Sequence, residues 1–157
     1  MAAKLSVVRC ALLLIAAGLV ACSSGTAPEA RKQADPTSEK WYGETLSELS
    51  AINRQALDSF HSGKADEASA LILKGEPLSK RLISVPKPSL AAAEAASDLD
   101  RLYGQMLYSN KNYGWARLLF QKNLARWKYW TPQTPETLGR LKEAQSEIAQ
   151  CDRVIVQ

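Results

Sequence analysis

Apolar side chains recur at steps of three and four residues throughout residues 41–155, which is the spacing of amphipathic α-helices. The first of these stripes runs through Trp41, Tyr42, Leu46, Leu49, Ile52, Ala56 and Phe60. No stretch of the sequence shows the strict apolar–polar alternation that is typical of a half-buried strand. The pattern therefore predicts an all-α domain of about five helices over residues 40–157.

Local signals predict the ends of the first two helices. Ser38 is a residue type that favours the N-cap, and Gly63 suits the left-handed position that ends a helix. We expect the first helix to lie between them and the second to begin just after Gly63. Pro77 should break or kink that second helix, because proline has no N–H to donate to residue 73.

The remaining helices have similar signals. Ser89 is expected to cap a third helix over residues 90–109, and a fourth is expected over residues 113–129. Thr134 and Pro135 supply an N-cap and a first-turn proline for a fifth helix.

The first 21 residues have the composition of an export signal rather than of a folded segment. Two basic residues, Lys4 and Arg9, precede an apolar run over residues 10–21. As a helix this run would span about 18 Å, well short of the ~30 Å hydrocarbon core of a bilayer. The pattern therefore indicates a secretory signal peptide over residues 1–21.

The apolar run ends in Leu19-Val20-Ala21-Cys22. This resembles the lipobox of bacterial lipoproteins, in which an aliphatic residue and two small or medium residues precede a cysteine. The resemblance implies cleavage before Cys22 and attachment of lipid to its thiol, so that the chain is anchored in a membrane of the cell envelope. Ser23 follows, rather than the aspartate that acts as an inner-membrane signal in enteric bacteria, which favours the outer membrane. The alternative is an ordinary signal peptide that ends by chance at a cysteine.

Residues 22–39 show no apolar periodicity and are rich in Ser, Gly, Pro, Lys and Glu, which is typical of a disordered linker. A flexible chain of this length would reach about 25 Å. We interpret this segment as a spacer between the lipid on Cys22 and the helical domain.

An offset of 48 residues aligns two helix–turn–helix segments within the domain. It pairs Ala56 with Gly104, Phe60 with Tyr108, Ala65 with Tyr113, Ala68 with Ala116, Leu71 with Leu119, and Ile72 with Phe120. The second copy resembles the tetratricopeptide repeat, a helical hairpin of stacked arrays. The residues that carry this resemblance are Gly104, Tyr113, Ala116 and Phe120. The small residues among them would let two helices approach closely while the aromatic residues fill the flanks.

The resemblance covers residues 50–130 at most, and the second copy departs from the family pattern. Asp100, Leu107 and Lys128 stand where the family has tryptophan, tyrosine and proline. The offset of 48 residues also exceeds the usual repeat of about 34. Generic helical hairpins would give the same pattern.

The resemblance implies two stacked hairpins, with the fifth helix as a terminal cap over the last apolar face. Such stacks bind peptides or proteins in a concave groove. The groove would be lined here by the first helix of each hairpin and the turn after it. The candidate partner-binding residues on this basis are Tyr108, Asn112, Trp115 and Arg117.

Eight of the chain's eleven aromatic residues lie within residues 103–130. In one interpretation Tyr103, Phe120 and Trp127 form core and the others cover loops. In the other, the cluster is a binding surface on which Trp115 and Trp130 are exposed, so Trp130 joins the candidates for contact with a partner or a glycan. Basic residues interleave with the aromatic ones, as in proteins that bind single-stranded nucleic acid. Loss of the signal peptide leaves 18 basic and 16 acidic residues in an exported chain, however, so we expect no nucleic-acid partner.

None of the common catalytic or phosphate-binding motifs occurs in the sequence. The only histidine, His61, lies at a predicted helix end, where an exposed cap is its ordinary role. We therefore expect no enzymatic activity, no metal and no cofactor. Cys151 would be the only free cysteine once Cys10 is removed and Cys22 is lipidated, and its position on the apolar face of the fifth helix predicts burial.

These features together predict a lipoprotein of the cell envelope, in the outer membrane and facing the periplasm. Its expected function is that of a protein–protein interaction adaptor in envelope assembly or secretion. The alternative is a carbohydrate- or peptidoglycan-binding module, or an accessory part of a wall-remodelling system. A third interpretation is a purely structural surface lipoprotein without a defined ligand.

Overall fold

The structure is a computed structural model that describes residues 35–156. The predicted signal peptide, the predicted lipidation site at Cys22 and the predicted linker up to residue 34 lie outside the described residues.

Residues 35–156 form five α-helices and no strand, so the predicted all-α fold of about five helices is confirmed. The helices are α1 (Lys40–His61), α2 (Ala65–Ile83), α3 (Leu90–Ser109), α4 (Tyr113–Lys128) and α5 (Pro135–Ile155). A short 3-10 turn over Pro36–Ser38 precedes α1. None of these helices combines the length and the apolarity that are needed to cross a membrane.

Each helix packs against the next one along the chain, and α1 also packs against α3. α1 and α2 form one hairpin around Gly63, and α3 and α4 form a second hairpin around Lys111. α3 lies at the centre, in contact with α1, α2 and α4. Its buried alanines, Ala92, Ala93, Ala95 and Ala96, let the neighbouring helices approach its backbone closely.

The core has two clusters. The larger one lies between α1, α2 and α3 and includes Leu49, Ile72, Leu82 and Leu99. A smaller one joins α4 to α5 through Ala116, Phe120 and Cys151. Cys151 is fully buried, as predicted, and burial raises the pKa of its thiol.

Three of the predicted helix ends are confirmed. Gly63 follows α1 with a φ of 76°, the left-handed conformation that ends a helix. The Ser89 hydroxyl accepts a hydrogen bond from the backbone N–H of Ala92 at 3.2 Å, which caps α3. Thr134 and Thr137 form a reciprocal capping box at the start of α5.

The predicted N-cap at Ser38 is wrong. The Asp35 carboxylate accepts hydrogen bonds from Thr37 and starts the 3-10 turn, and the Ser38 hydroxyl donates to the Asp35 carbonyl at 2.8 Å. Glu39 is therefore the residue in extended conformation that precedes α1. This turn lies within the segment that we expected to be linker.

Of the break or kink that we predicted at Pro77, the break is wrong, because α2 continues from Ala65 to Ile83. The carbonyl of Leu73 has no helical hydrogen bond, because Pro77 has no N–H to donate to it. Both residues lie on the exposed face of α2, where water can donate to this oxygen. The opposite face is held by packing, since a Cβ added to Gly75 would lie 3.0 Å from Leu99 Cδ1. Tertiary contacts therefore keep the helix continuous through the proline.

Candidate functional site

Two of the five predicted partner-binding residues lie together. Asn112 and Trp115 line an apolar recess of about 540 Å³ between α3 and α4, with Tyr103, Leu107 and Leu118. The Trp115 side chain is 68% exposed, as predicted for a surface member of the aromatic cluster. We call this cavity the α3–α4 recess.

The other three predicted residues do not line the recess. The Tyr108 ring packs edge-on against the Tyr113 ring, with 5.1 Å between centroids. Arg117 Nε lies 2.5 Å from Asp152 Oδ1, so this side chain ties α4 to α5. That hydrogen bond raises the pKa of the Arg117 guanidinium.

Trp130 is partly buried, so its predicted exposure is wrong. Its ring lies 6.0 Å from the ring of Trp127, which is itself fully buried and donates to Ser97 Oγ at 2.9 Å. Tyr129 is the exposed aromatic residue at this end of α4, with 74% of its surface accessible. The predicted burial of Phe120 and Trp127 is confirmed.

A groove of about 490 Å³ lies between α1, α3 and α5. Its walls come from α1 between Leu46 and Leu57, from α3 between Ala91 and Gln105, and from Arg140 of α5. The first helices of both hairpins therefore line it, whereas the turns after them, which the sequence also predicted as lining, do not. None of the five predicted residues lies in its walls.

The groove contains two shielded acceptor atoms without a hydrogen-bond partner. Asn53 Nδ2 donates to the Ala95 carbonyl at 2.7 Å, while Asn53 Oδ1 is buried and unpaired among the described residues. Glu94 Oε1 is likewise buried without a hydrogen bond, and Arg140 Nε lies 3.8 Å away. Unpaired buried acceptors are uncommon in native proteins and require a physical explanation.

A second asparagine makes a similar bond to α3, but all of its side-chain bonds lie within the fold. Asn123 of α4 donates to another α3 carbonyl, that of Ser97, at 3.0 Å. Its side-chain oxygen accepts a hydrogen bond from Arg126. Both ends of the Asn123 amide are therefore satisfied, whereas Asn53 Oδ1 has no hydrogen-bond partner among the described residues.

Charge around Glu94 is only partly balanced. Arg140 is the cation nearest to this carboxylate, and Arg140 Nη1 also bonds to Asp98 Oδ1 at 2.7 Å. Burial raises the pKa of Glu94, Arg140 opposes that rise, and the nearby Glu136 adds to it. A cationic group close to Glu94 would oppose this rise in its pKa, because it favours the charged form.

Ion pairs along the far end of the groove are internal to the fold. Arg101 binds Glu143 at 2.7 Å and Glu147 at 2.8 Å, which joins α3 to α5. Burial raises the pKa of Glu147, and its bond to Arg101 opposes the rise. These groups hold the walls together.

Sequence reasoning missed Asn53 and Glu94, because polar residues on a predicted amphipathic helix are usually solvated. One signal was present in α1, where Asn53 lies between Ile52 and Ala56 of the apolar stripe. A polar residue at the edge of such a stripe is a candidate for a partly buried contact.

Among residues 35–156, no cluster of histidine, cysteine or carboxylate side chains has the composition to hold a metal ion. Comparison of the chain with known protein families, with curated proteins and with solved structures gives no match.

Proposed function

We propose that this protein is a lipid-anchored interaction adaptor of the bacterial cell envelope that binds a segment of a partner protein in the groove between α1, α3 and α5. The observation that carries the proposal is the groove and two shielded acceptors in the side chains of its walls, Asn53 Oδ1 and Glu94 Oε1, which have no hydrogen bond among the described residues. Both atoms are closed off from solvent in the free protein, so a partner's N–H donors would bond to them once the covering side chains move aside. Leaving such groups unpaired is unfavourable.

A protein segment fits the groove chemistry. The main chain of an extended peptide presents N–H groups at regular intervals, and the groove wall combines acceptors with apolar side chains such as Leu46, Leu57 and Leu102. Arg54 is exposed at the edge of the groove and can donate to a peptide carbonyl or carboxylate. The likeness of the two hairpins to tetratricopeptide repeats supports the same mode of binding, since such stacks bind segments on the first helix of each hairpin.

The anchor is proposed from the lipobox-like sequence that ends at Cys22, with the outer membrane as the destination and the domain in the periplasm. One lipid chain holds a protein only marginally, whereas two or three give a stable anchor. The chain should incorporate labelled palmitate in cells, and Cys22→Ala should abolish that incorporation. Equal incorporation by the Cys22→Ala variant would contradict the proposal.

Site-specific crosslinking in cells tests the groove. A photo-crosslinking residue at position 54 should capture a discrete partner, whereas the same residue at Lys74, exposed on α2, should not. Asn53→Ala and Glu94→Ala should each remove the capture at position 54 while the circular dichroism spectrum stays helical. The absence of any discrete product at position 54, or capture that survives both substitutions, would exclude the groove as the binding site.

The peptidoglycan-binding alternative keeps one supporting observation, the exposure of Trp115. Trp130, the second tryptophan of that interpretation, packs on Trp127 instead. Saturable quenching of Trp115 emission by soluble peptidoglycan fragments, lost in Trp115→Phe, would favour it over the adaptor.

A further inference from the structure

The outer side of α4 is a continuous exposed stripe of apolar, aromatic and basic residues. Its members follow each other at steps of four, three, four, three and four residues, and every one is exposed: Lys111, Trp115, Leu118, Lys122, Ala125 and Tyr129. We call this stripe the α4 outer face. The inner side of the same helix, with Ala116, Phe120 and Trp127, is buried.

The apolar side chains of the α4 outer face are large and open. Trp115 and Tyr129 are mostly exposed, and Leu118 is 53% exposed. The α3–α4 recess extends this apolar area inward through Tyr103 and Leu107. A contiguous apolar patch of this kind on a folded domain marks a surface that is covered by a binding partner.

The charges on α4 have a single sign. The helix contains four basic residues and no aspartate or glutamate. Lys122 and Arg126 share Asp100 as a counter-charge, and Arg117 pairs with Asp152. The ion pairs among the described residues use neither Lys111 nor Lys128, and both of these side chains are exposed.

Tryptophan and tyrosine favour the boundary between lipid headgroups and acyl chains, because one end of each side chain is apolar and the other polar. Lysines beside them let their aliphatic stems lie along apolar surface while the ammonium groups reach anionic headgroups. The α4 outer face combines leucine and aromatic residues with two lysines, and it contains no acid. Lys122 pairs with Asp100, whereas Lys111, and Lys128 beside the face, have no ion pair among the described residues. The face is therefore complementary to such a surface in both charge and polarity.

We propose that the α4 outer face docks on a membrane surface that contains anionic lipid, such as phosphatidylglycerol. This inference goes beyond the adaptor function and does not depend on the groove. Ser97, Asp100 and Gly104 face α4 from α3, whereas Glu94, Asp98 and Arg101 of α3 line the groove. A partner can therefore enter the groove while α4 lies on lipid.

Quenching of tryptophan fluorescence by brominated lipid tests the contact. Residues 22–157 carrying Cys22→Ala, which lack both the predicted signal peptide and the predicted attachment site, are mixed with vesicles of brominated phosphatidylglycerol and phosphatidylcholine, or of brominated phosphatidylcholine alone. Trp115 is the exposed member of the four tryptophans, because Trp127 is buried and the other two are partly buried. The anionic vesicles should quench and blue-shift the emission, and Trp115→Phe should abolish most of that quenching.

Matched variants separate the contribution of the lysine charges from that of the apolar side chains. Lys111→Glu together with Lys128→Glu should raise the vesicle concentration for half-maximal quenching at least about tenfold, and added salt should act in the same direction. Lys142→Glu, an exposed charge on α5, should leave it unchanged. Leu118→Ser should weaken quenching, whereas Leu73→Ser should not, although Leu73 of α2 is 62% exposed.

Several results would overturn the proposal. Equal quenching by zwitterionic and anionic vesicles, quenching that survives Trp115→Phe, or equal losses in the matched controls would each exclude docking of this face on anionic lipid. A response of Trp115 to soluble peptidoglycan fragments but not to vesicles would assign the face to a glycan instead. Failure of this test leaves the groove proposal standing, because Asn53→Ala and Glu94→Ala change neither the charge nor the apolar residues of α4.

Discussion

Gly63 and Lys111 occupy the same position in two equivalent turns, 48 residues apart, and both have positive φ values, of 76° and 61°. In each turn the amide of the following residue bonds to the carbonyl five residues earlier, at 2.9 Å after Gly63 and 2.8 Å after Lys111. This is the hydrogen-bond pattern of a Schellman motif, which favours glycine at the left-handed position. The two hairpins therefore share their turn geometry, although only one of them carries glycine there.

Replacement of Lys111 by glycine should stabilise the domain by about 0.5 kcal/mol. Relief of the left-handed strain outweighs the extra conformational entropy that glycine gives to the unfolded chain. Gly63→Ala should destabilise it by about 1 kcal/mol for the reverse reason. Urea denaturation measures both, and Lys111→Ala, which keeps the strain, is the control. Equal stability of Lys111→Gly and Lys111→Ala would contradict the argument.

Gly104→Ala should destabilise the domain by about 1–3 kcal/mol, because α3 and α4 are in close contact at this position and leave no room for a Cβ. A Cβ at this position would lie 2.5 Å from Phe120 Cε1. The change should cost less in a Phe120→Leu background, where the ring is absent. Gly43→Ala is the matched control, since an added Cβ there meets no atom within 4 Å and helix propensity favours alanine by up to about 1 kcal/mol. Similar effects at Gly104 and Gly43 in thermal denaturation would contradict the steric explanation.

Asp100→Asn should lower the free energy of unfolding by about 3 kcal/mol, since it leaves a buried guanidinium without its counter-charge. Asp100 is buried, and its two oxygens lie 2.8 Å from Arg126 Nη2 and from Lys122 Nζ. Arg126 is mostly buried as well, whereas Lys122 is exposed. Lys122→Met should therefore cost less than about 1 kcal/mol. Equal losses from Asp100→Asn and Lys122→Met in chemical denaturation would show that burial of Arg126 does not set the effect.

The stability of the domain should depend on pH through Glu94. Burial raises the pKa of this carboxyl above its ordinary value of 4.5, so the folded chain holds the proton more tightly than the unfolded chain. Protonation therefore favours folding, and stability rises as the pH falls from the raised pKa toward 4.5. Glu94→Gln cannot titrate and should lack this rise.

Relative to the native chain, Glu94→Gln should have its highest free energy of unfolding near pH 7. This advantage should shrink as the pH falls toward 4.5, because the native chain then gains stability and the variant does not. Urea denaturation at a series of pH values measures this difference. Glu44→Gln is the control, because Glu44 is exposed and its replacement removes a carboxylate without any change in burial. A difference that stays constant over this range would contradict the role of Glu94.

The ends of most helices could be predicted because they depend on local bonds. Ser89 and Thr134 cap the helices that follow them, and Gly63 ends the helix before it, each through atoms within a few residues along the chain. Ser38 misled the prediction because its hydroxyl makes a competing local bond, to the carbonyl of Asp35. Pro77 misled it because packing of α2 against the core keeps that helix continuous.

The candidate site was harder to predict than the helices. Periodicity identified the inner face of α4 around Phe120 and Trp127, and composition pointed to Trp115 as an exposed residue. Neither periodicity nor composition could identify Asn53 and Glu94, because each is polar and the groove that shields them is formed by three helices distant in sequence.

The sequence by itself determined that this chain builds helices, where most of them begin and end, and that two hairpins repeat at an interval of 48 residues. These properties follow from the spacing of side chains along one helix and from hydrogen bonds within one turn. Only the tertiary structure decided which of the two apolar sides of α4 has a partner within the fold, and which polar atoms of α1 and α3 are left unpaired. The physical reason is that burial depends on where neighbouring helices lie, and a single helix pattern carries no information about its neighbours.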